Sequence, residues 1–274
     1  MRRALWALAV TIATGVALMF LVLPILAIFL RVPVGDLIGA LGNGAARDAL
    51  VVSLKTSAIA HAAVLVFGTP TAYLLARRRF PGRGAVLTLF ELPLVLPPAV
   101  AGIGLLAAFG RFGLLGDELR ALGISIGFTQ AAVVLAVAFV ESPFYLRGAV
   151  AAFETVDDDL IAAARTLGAG PWRVFLRVAI PLAAGGLGAA SALALARGLG
   201  EFGATIIFAG SLQGVTQTLP LAIYSQLDQD FDVALAISAL FVVAGVAILA
   251  GLKVFTWARF NSISRSRFAP STSK

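Results

Sequence analysis

The residues of this 274-residue chain that could do chemistry are few. Histidine occurs once, at His61, and cysteine does not occur, so the usual nitrogen and sulfur ligands of a metal site are missing. The lysines are Lys55, Lys253 and Lys274, and none of them ends a G-x-x-x-x-G-K-[ST] nucleotide-binding loop. We therefore expect no catalytic residue, no metal site and no cofactor in this chain.

One pair of opposite charges, Arg197 and Glu201, stands within an apolar stretch. Their i, i+4 spacing allows a salt bridge along one face of a helix. A charge at the centre of a membrane helix costs roughly 2.5–3.5 kcal/mol on insertion scales, so the presence of both charges requires an explanation. Either the two residues neutralise each other inside a helix bundle, or their face lines a translocation path or gate. In a path, the Ser191 and Thr205 hydroxyls could donate hydrogen bonds.

Further ionisable residues also lie within apolar stretches, among them Lys55, His61, Glu91 and Glu141. For His61, the one histidine of the chain, we expect a packed or hydrogen-bonded structural role, with a proton relay as the alternative. Glu91 and Glu141 lie nearer the expected cytoplasmic ends of their stretches. We expect both glutamates to pair with neighbouring arginines on that side.

The elements that position these residues are membrane helices by composition. Hydrophobic residues make up 60% of the chain, charged residues 13%, and the mean hydropathy is +0.98, whereas soluble domains carry about 25% charge. Long apolar runs rich in Ala and Leu predict an all-α membrane protein with six transmembrane helices. The runs cover residues 4–30, 49–76, 85–109, 126–146, 182–209 and 232–252. In the third run, Pro97-Pro98 either kinks the helix or lines a cavity.

The distribution of basic residues predicts the orientation of these helices. With both termini in the cytoplasm, fifteen of the 21 lysines and arginines lie inside, as the positive-inside bias requires. Four lie outside, namely Arg31, Arg47, Arg111 and Arg120, and the remaining two, Lys55 and Arg197, lie within spans. The net charge of +7 is then a consequence of topology, and we expect no nucleic-acid partner.

The inner segment of about residues 147–181 is too long and too patterned for a simple connector. Asp157-Asp158-Asp159 predicts a helix start, because acidic residues complement the helix dipole at its N-terminus. Gly168-Ala169-Gly170 predicts a break, Pro171 a restart, and Pro181 the entry into the fifth span. Two short helices at a membrane surface would form a docking element for a soluble partner.

Residues 147–181 carry a motif that resembles the permease signature of binding-protein-dependent ABC importers, and this stretch is called the coupling segment below. That signature is Glu-Ala-Ala, three residues, Gly, nine residues, then Ile-x-Leu-Pro. Its spacing is matched by Ala163-Ala164, Gly168 and Val178-Ala179-Ile180-Pro181, while Ala162 occupies the glutamate position. The departure at Ala162 removes any contact that the carboxylate makes in the family.

The resemblance implies a type I ABC importer permease fold and a set of partners. The ATPase-coupling residues would be Ala162, Ala163, Ala164, Gly168, Val178, Ile180 and Pro181, seated in a groove of a cytoplasmic ATPase. The partners would be a second copy of the chain, two ATPase subunits that hold ATP and Mg, and an extracytoplasmic oxyanion-binding protein. The domains would be an N-terminal helix and outer loop at 1–47, a permease core at 48–252 and a cytoplasmic tail at 253–274.

Within this family, three stretches resemble the molybdate permeases, around residues 92–116, 196–204 and 216–224. The resemblance implies ATP-driven import of an oxyanion across the cytoplasmic membrane of a prokaryote, with molybdate or tungstate as the anion. Sulfate or thiosulfate is the first alternative, because sulfate permeases share part of the Gly-Glu-aromatic-Gly pattern at residues 200–203. The second alternative, from another class, is a carrier driven by an ion gradient that uses His61 and Glu201 as protonatable groups. A membrane scaffold or receptor without transport is a third.

Overall fold

The computed structural model describes residues 2–33, 35, 39, 42 and 44–267, and every regular element in this part of the chain is helical. The helices are α1 (Arg2–Arg31), α2 (Gly44–Arg77), α3 (Arg83–Val95), α4 (Pro98–Phe109), α5 (Gly116–Ala121), α6 (Gln130–Glu154), α7 (Asp158–Thr166), α8 (Pro171–Val174), α9 (Ile180–Leu199), α10 (Gly203–Ala209), α11 (Leu219–Gln226) and α12 (Phe231–Arg267).

Five helices are long and apolar enough to cross a membrane on their own. They are α1, α2, α6, the continuous helix from Pro171 to Leu199, and α12. The sixth predicted span is not straight, because α3 and α4 meet at an angle of 113°. The bend falls where the sequence places Pro97-Pro98: proline lacks the N–H that continues a helix and forces the residue before it into an extended conformation.

The centre of the bundle is formed by α2, α6 and α9. Small residues allow α6 and α9 to pack closely, as is usual in membranes, where apolar side chains gain little by leaving lipid. A Cβ atom on Gly148 would lie 2.6 Å from the Cβ of Ala190, and one on Gly186 would lie 2.5 Å from the Cβ of Ala152. Larger side chains at these two glycines would therefore push α6 and α9 apart.

The fifth predicted span differs from the structure at both of its ends. The helix that begins at Pro171 does not end before Pro181 but continues through a π-helical turn, Phe175–Ala179, into α9. Within this turn the Ile180 N–H donates to the Phe175 carbonyl, five residues earlier, a local adjustment of the kind that accommodates a proline in a membrane helix. Entry into the span at Pro181 was therefore a wrong prediction.

At its other end the fifth span breaks at Gly200, well before residue 209. The chain restarts as the short helix α10, which packs against α4. A Cβ on Gly203 would lie 2.6 Å from the Cβ of Pro98, so the break after α9 touches the break between α3 and α4. Two interruptions of membrane helices thus meet at one place in the bundle.

Candidate coupling segment and transport site

The coupling segment begins with the predicted helix start. Asp157 is the N-cap of α7, and its side chain accepts a hydrogen bond from the Asp159 N–H at 2.9 Å. The helix ends at Thr166, and Gly168 follows with φ +83°, a left-handed conformation that glycine adopts without strain. Pro171 then starts the next helix, as predicted.

This segment exposes large apolar side chains at its tip. Leu167 is 88% exposed and Trp172 is 66% exposed. They flank the left-handed turn at Gly168, one before it and one after it along the chain. Two exposed apolar residues beside several arginines form a surface suited to a protein partner.

Two arginines, one at the end of α2 and one at the start of α3, connect the start of α7 to the bundle. Arg77 donates to Asp158 Oδ1 and to the Val156 carbonyl, both at 2.5 Å. Arg83 donates to Glu154 Oε1 at 2.6 Å and to the Leu75 carbonyl at 2.7 Å. The start of α7 is therefore connected to α2 and α3 through these side chains.

An aromatic cluster adds a second connection between the coupling segment and the bundle. The ring centroids of Tyr73 on α2 and Phe175 at the π turn are 4.9 Å apart, and those of Tyr73 and Phe153 on α6 are 5.3 Å apart. The ring centroid of Trp172 lies 5.4 Å from that of Phe175. Such pairs contribute about 0.5–1.5 kcal/mol beyond burial of their area.

The predicted coupling residues divide into two groups by environment. Ala162, Ala163 and Gly168 are exposed, and Ala164 is half-buried. Val178, Ile180 and Pro181 are half-buried, and the first two pack against the core of α2, α6 and α9. The first half of the motif is thus mostly exposed to solvent, while its second half packs against the bundle. The coupling role of these residues stays a prediction.

The Arg197–Glu201 salt bridge is present, with Arg197 Nη1 2.9 Å from Glu201 Oε2. The pair does not share one helix, because α9 ends at Leu199. Glu201 is buried, and its Oε1 accepts a hydrogen bond from the Ala204 N–H at 2.8 Å. The carboxylate therefore satisfies an amide at the start of α10 while it neutralises Arg197.

A second polar cluster joins the three central helices of the bundle. His61 Nδ1 on α2 is in hydrogen-bonding contact with Glu141 Oε1 on α6, and His61 Nε2 lies 2.8 Å from Ser191 Oγ on α9. Glu141 is fully buried, and a Cβ on Gly198 would lie 2.6 Å from its Oε2. A glycine at 198 thus makes room for the carboxylate between α6 and α9.

These contacts correct the prediction for Glu141 and agree with those for His61 and Glu91. His61 is packed and hydrogen-bonded as expected, because a carboxylate and a hydroxyl contact its two ring nitrogens. Glu141 contacts His61 and not an arginine, because its side chain lies on the buried face of α6. Glu91 does lie beside an arginine, with Arg147 Nε 3.8 Å from Glu91 Oε1.

The two hydroxyls predicted to line a path are both buried. Ser191 is engaged with His61, whereas the Thr205 hydroxyl forms no hydrogen bond within the described residues. The structure thus places Ser191 in the central cluster and Thr205 near the start of α10. A path lined by Arg197, Glu201, Ser191 and Thr205 stays a prediction.

The family of binding-protein-dependent transport system inner membrane components matches residues 68–265. The match covers most of the chain, and the chain belongs to that family. It is therefore a multi-pass transport subunit of the inner membrane and not itself an enzyme.

Relatives and solved structures agree with this assignment. The molybdenum transport system permease protein ModB of Mycobacterium tuberculosis is 45% identical over 235 residues, 86% of this chain and 89% of that protein. The sulfate transport system permease protein CysW of Synechococcus elongatus is 34% identical over 226 residues, 82% of this chain and 79% of that protein. A chain of a bacterial alginate ABC transporter has a TM-score of 0.74 at 16% identity, covering 94% of this chain and 96% of its own. The last comparison confirms the predicted importer permease fold.

Several of these contacts could not be predicted from the sequence. Arg77 and Arg83 looked like ordinary cytoplasmic positive charges, and nothing local indicated their partners in the coupling segment. The pairing of His61 with Glu141 spans 80 residues of sequence. A usable signal did exist, since a buried charge needs a partner and His61 and Glu141 were among the few ionisable residues within spans.

Proposed function

We propose that this chain is the membrane-spanning subunit of an ATP-driven importer of molybdate, with tungstate, a near-isosteric anion, as a second substrate. The observation that carries the proposal is the 45% identity with ModB over 235 residues. The similarity extends over nearly the whole of both proteins, so it includes the spans as well as the coupling segment.

The partners in this proposal follow from the family. A second copy of the chain would complete a two-fold path, two ATPase subunits would hold ATP and Mg, and an external protein would deliver the oxyanion. Both termini would lie in the cytoplasm, on the same side as the ATPases. The exposed Leu167 and Trp172 support an ATPase contact at the coupling segment.

The mechanism we propose is alternating access driven by movement of the coupling segment. Closure of the ATPases would shift α7, and the contacts of Arg77 and Arg83 would carry that shift into α2 and α3. The 29-residue helix from Pro171 to Leu199 would carry it about 39 Å, from Pro171 to Arg197 of the Arg197–Glu201 pair. The helix breaks at Gly200 and Pro97 would then act as hinges between two packings.

The proposal is tested by reconstituting the permease with its co-purifying ATPase in proteoliposomes. ATPase activity is measured with binding protein loaded with molybdate, tungstate or sulfate. We expect stimulation by the molybdate and tungstate forms above that of the empty protein. The same preparation without the permease provides the control for free ATPase.

A second candidate substrate is sulfate, which the 34% identity with CysW favours. It is the weaker candidate because the similarity to ModB is higher over a longer alignment. Stimulation by the sulfate-loaded protein alone would overturn the molybdate assignment.

A further inference from the structure

Lys55, in the interior of the central helix α2, is left without a carboxylate partner among the described residues. Lys55 lies on α2, seven residues beyond Asp48 and therefore about 10 Å further along the helix. It is exposed, and the exposed neighbours on its side of the helix, such as Val51 and Ile59, are apolar. No carboxylate lies within 4 Å of its ammonium among the residues that the structure describes.

Other charged groups in the interior of the central spans are already compensated. Arg197 pairs with Glu201 at 2.9 Å, and Glu141 contacts His61. Arg197 is neutralised by Glu201, and His61 is engaged by a carboxylate, so neither pair offers net positive charge to an anion. Among the described residues of these interiors, Lys55 is the position at which positive charge remains available.

An uncompensated lysine within a span costs roughly 2.5–3.5 kcal/mol at the helix centre, so it is retained where water or a counter-charge meets it. An anion in transit is such a counter-charge. We infer that Lys55 lines the translocation path and binds the oxyanion as it passes. This inference rests on the proposed function and adds to it a substrate-contacting residue.

The charge count supports the inference if two copies of the chain surround one path. Each copy contributes one ammonium, and two-fold symmetry places the two ammonium groups on opposite sides. Together they match the two negative charges of a tetrahedral oxyanion such as molybdate. Lysine binds such an anion as a point charge and holds it without a fixed cage of donors, which suits a site that must also release it.

The competing explanation is that Lys55 faces lipid and extends its side chain to the membrane surface. The two explanations differ in what the side chain contacts. A path residue meets water and anions, and its charge matters for transport. A lipid-facing residue meets acyl chains, and its charge is dispensable.

The chain has no cysteine, so Lys55→Cys introduces a single thiol into the permease. Loss of the charge should reduce molybdate uptake by the reconstituted complex by roughly tenfold or more, since a charge-assisted contact is lost. Treatment with 2-aminoethyl methanethiosulfonate attaches an ammonium through a disulfide and should restore much of the uptake. The anionic 2-sulfonatoethyl reagent should attach equally and restore none.

Controls separate this inference from the proposed function. Leu18→Cys, at an exposed position of helix α1, should resist both water-soluble reagents and transport normally. Lys55→Arg should retain most of the uptake, because it keeps the charge. Wild-type uptake by Lys55→Cys, or an introduced thiol in that variant that neither reagent modifies, would overturn the role of Lys55. Failure of the unmodified complex to transport molybdate would instead overturn the proposed function.

Discussion

At the scale of single residues, the central feature is a carboxylate buried among three helices. Glu141 has no exposed surface, and its compensation comes from His61, which also reaches Ser191. A buried charge that loses its partner is strongly destabilising, because neither water nor another group replaces the lost contact. The cluster therefore joins α2, α6 and α9 in a single arrangement.

Replacing the histidine should reveal the strength of this connection. We expect His61→Ala to lower the free energy of unfolding by about 3–5 kcal/mol, the cost of leaving a buried carboxylate without its partner. The matched change Ser191→Ala removes one hydrogen bond and should cost about 1 kcal/mol. Denaturation of the purified complex in detergent, followed by intrinsic fluorescence, measures both. Equal midpoints for His61→Ala and the wild type would contradict this account of the cluster.

At the scale of elements, the left-handed turn at Gly168 holds the coupling segment in shape. A Cβ at 168 would meet no atom within 4 Å, so any effect of substitution comes from the backbone conformation and not from a clash. Gly168→Val should therefore introduce strain of about 1–2 kcal/mol. We expect this variant to insert normally but to lose molybdate uptake and the stimulation of ATPase activity by loaded binding protein.

Asparagine supplies the control at the same position, because it tolerates a positive φ better than other residues with a Cβ. Gly168→Asn should keep most of the uptake that Gly168→Val loses. Normal coupling in the valine variant would show that the turn does not transmit the movement of the ATPase.

The connection between Arg77 and the coupling segment makes a separate prediction. Hydrogen bonds to charged groups contribute about 1.5–3 kcal/mol, so Arg77→Ala should let α7 open roughly ten to a hundred times more often. Hydrogen exchange of the amides in residues 158–166, measured by mass spectrometry, should accelerate accordingly. Arg78→Ala, at the neighbouring position, should leave this exchange unchanged. Unchanged exchange in Arg77→Ala would mean that α7 is held by other contacts.

The elements also show how far the sequence could predict the structure. The start of α7 at Asp157, the break at Gly168 and the bend at Pro97 depend on local backbone chemistry, and all three were predicted. The π turn before Pro181 and the break at Gly200 depend on packing against other helices, so hydropathy alone misplaced both ends of the fifth span. The contact between His61 and Glu141 depends on the register of α2 against α6, which no local pattern specifies.

At the scale of the whole molecule, the charge pattern and the packing describe a subunit that works with partners. The apolar window of α1 has no buried residue, although α1 packs against α12. In the coupling segment, Leu167 and Trp172 are exposed, and the proposed ATPase contact would cover them. A single chain leaves both surfaces uncovered, and in the proposed complex the energy for transport comes from the ATPase subunits.

ATP-driven import of molybdate is tested most directly by uptake of labelled molybdate into proteoliposomes that contain the complete complex. We expect uptake that requires enclosed ATP and external binding protein, and that continues when ionophores remove all ion gradients. Uptake that proceeds without ATP but stops with ionophores would contradict it, and would instead support a carrier driven by an ion gradient.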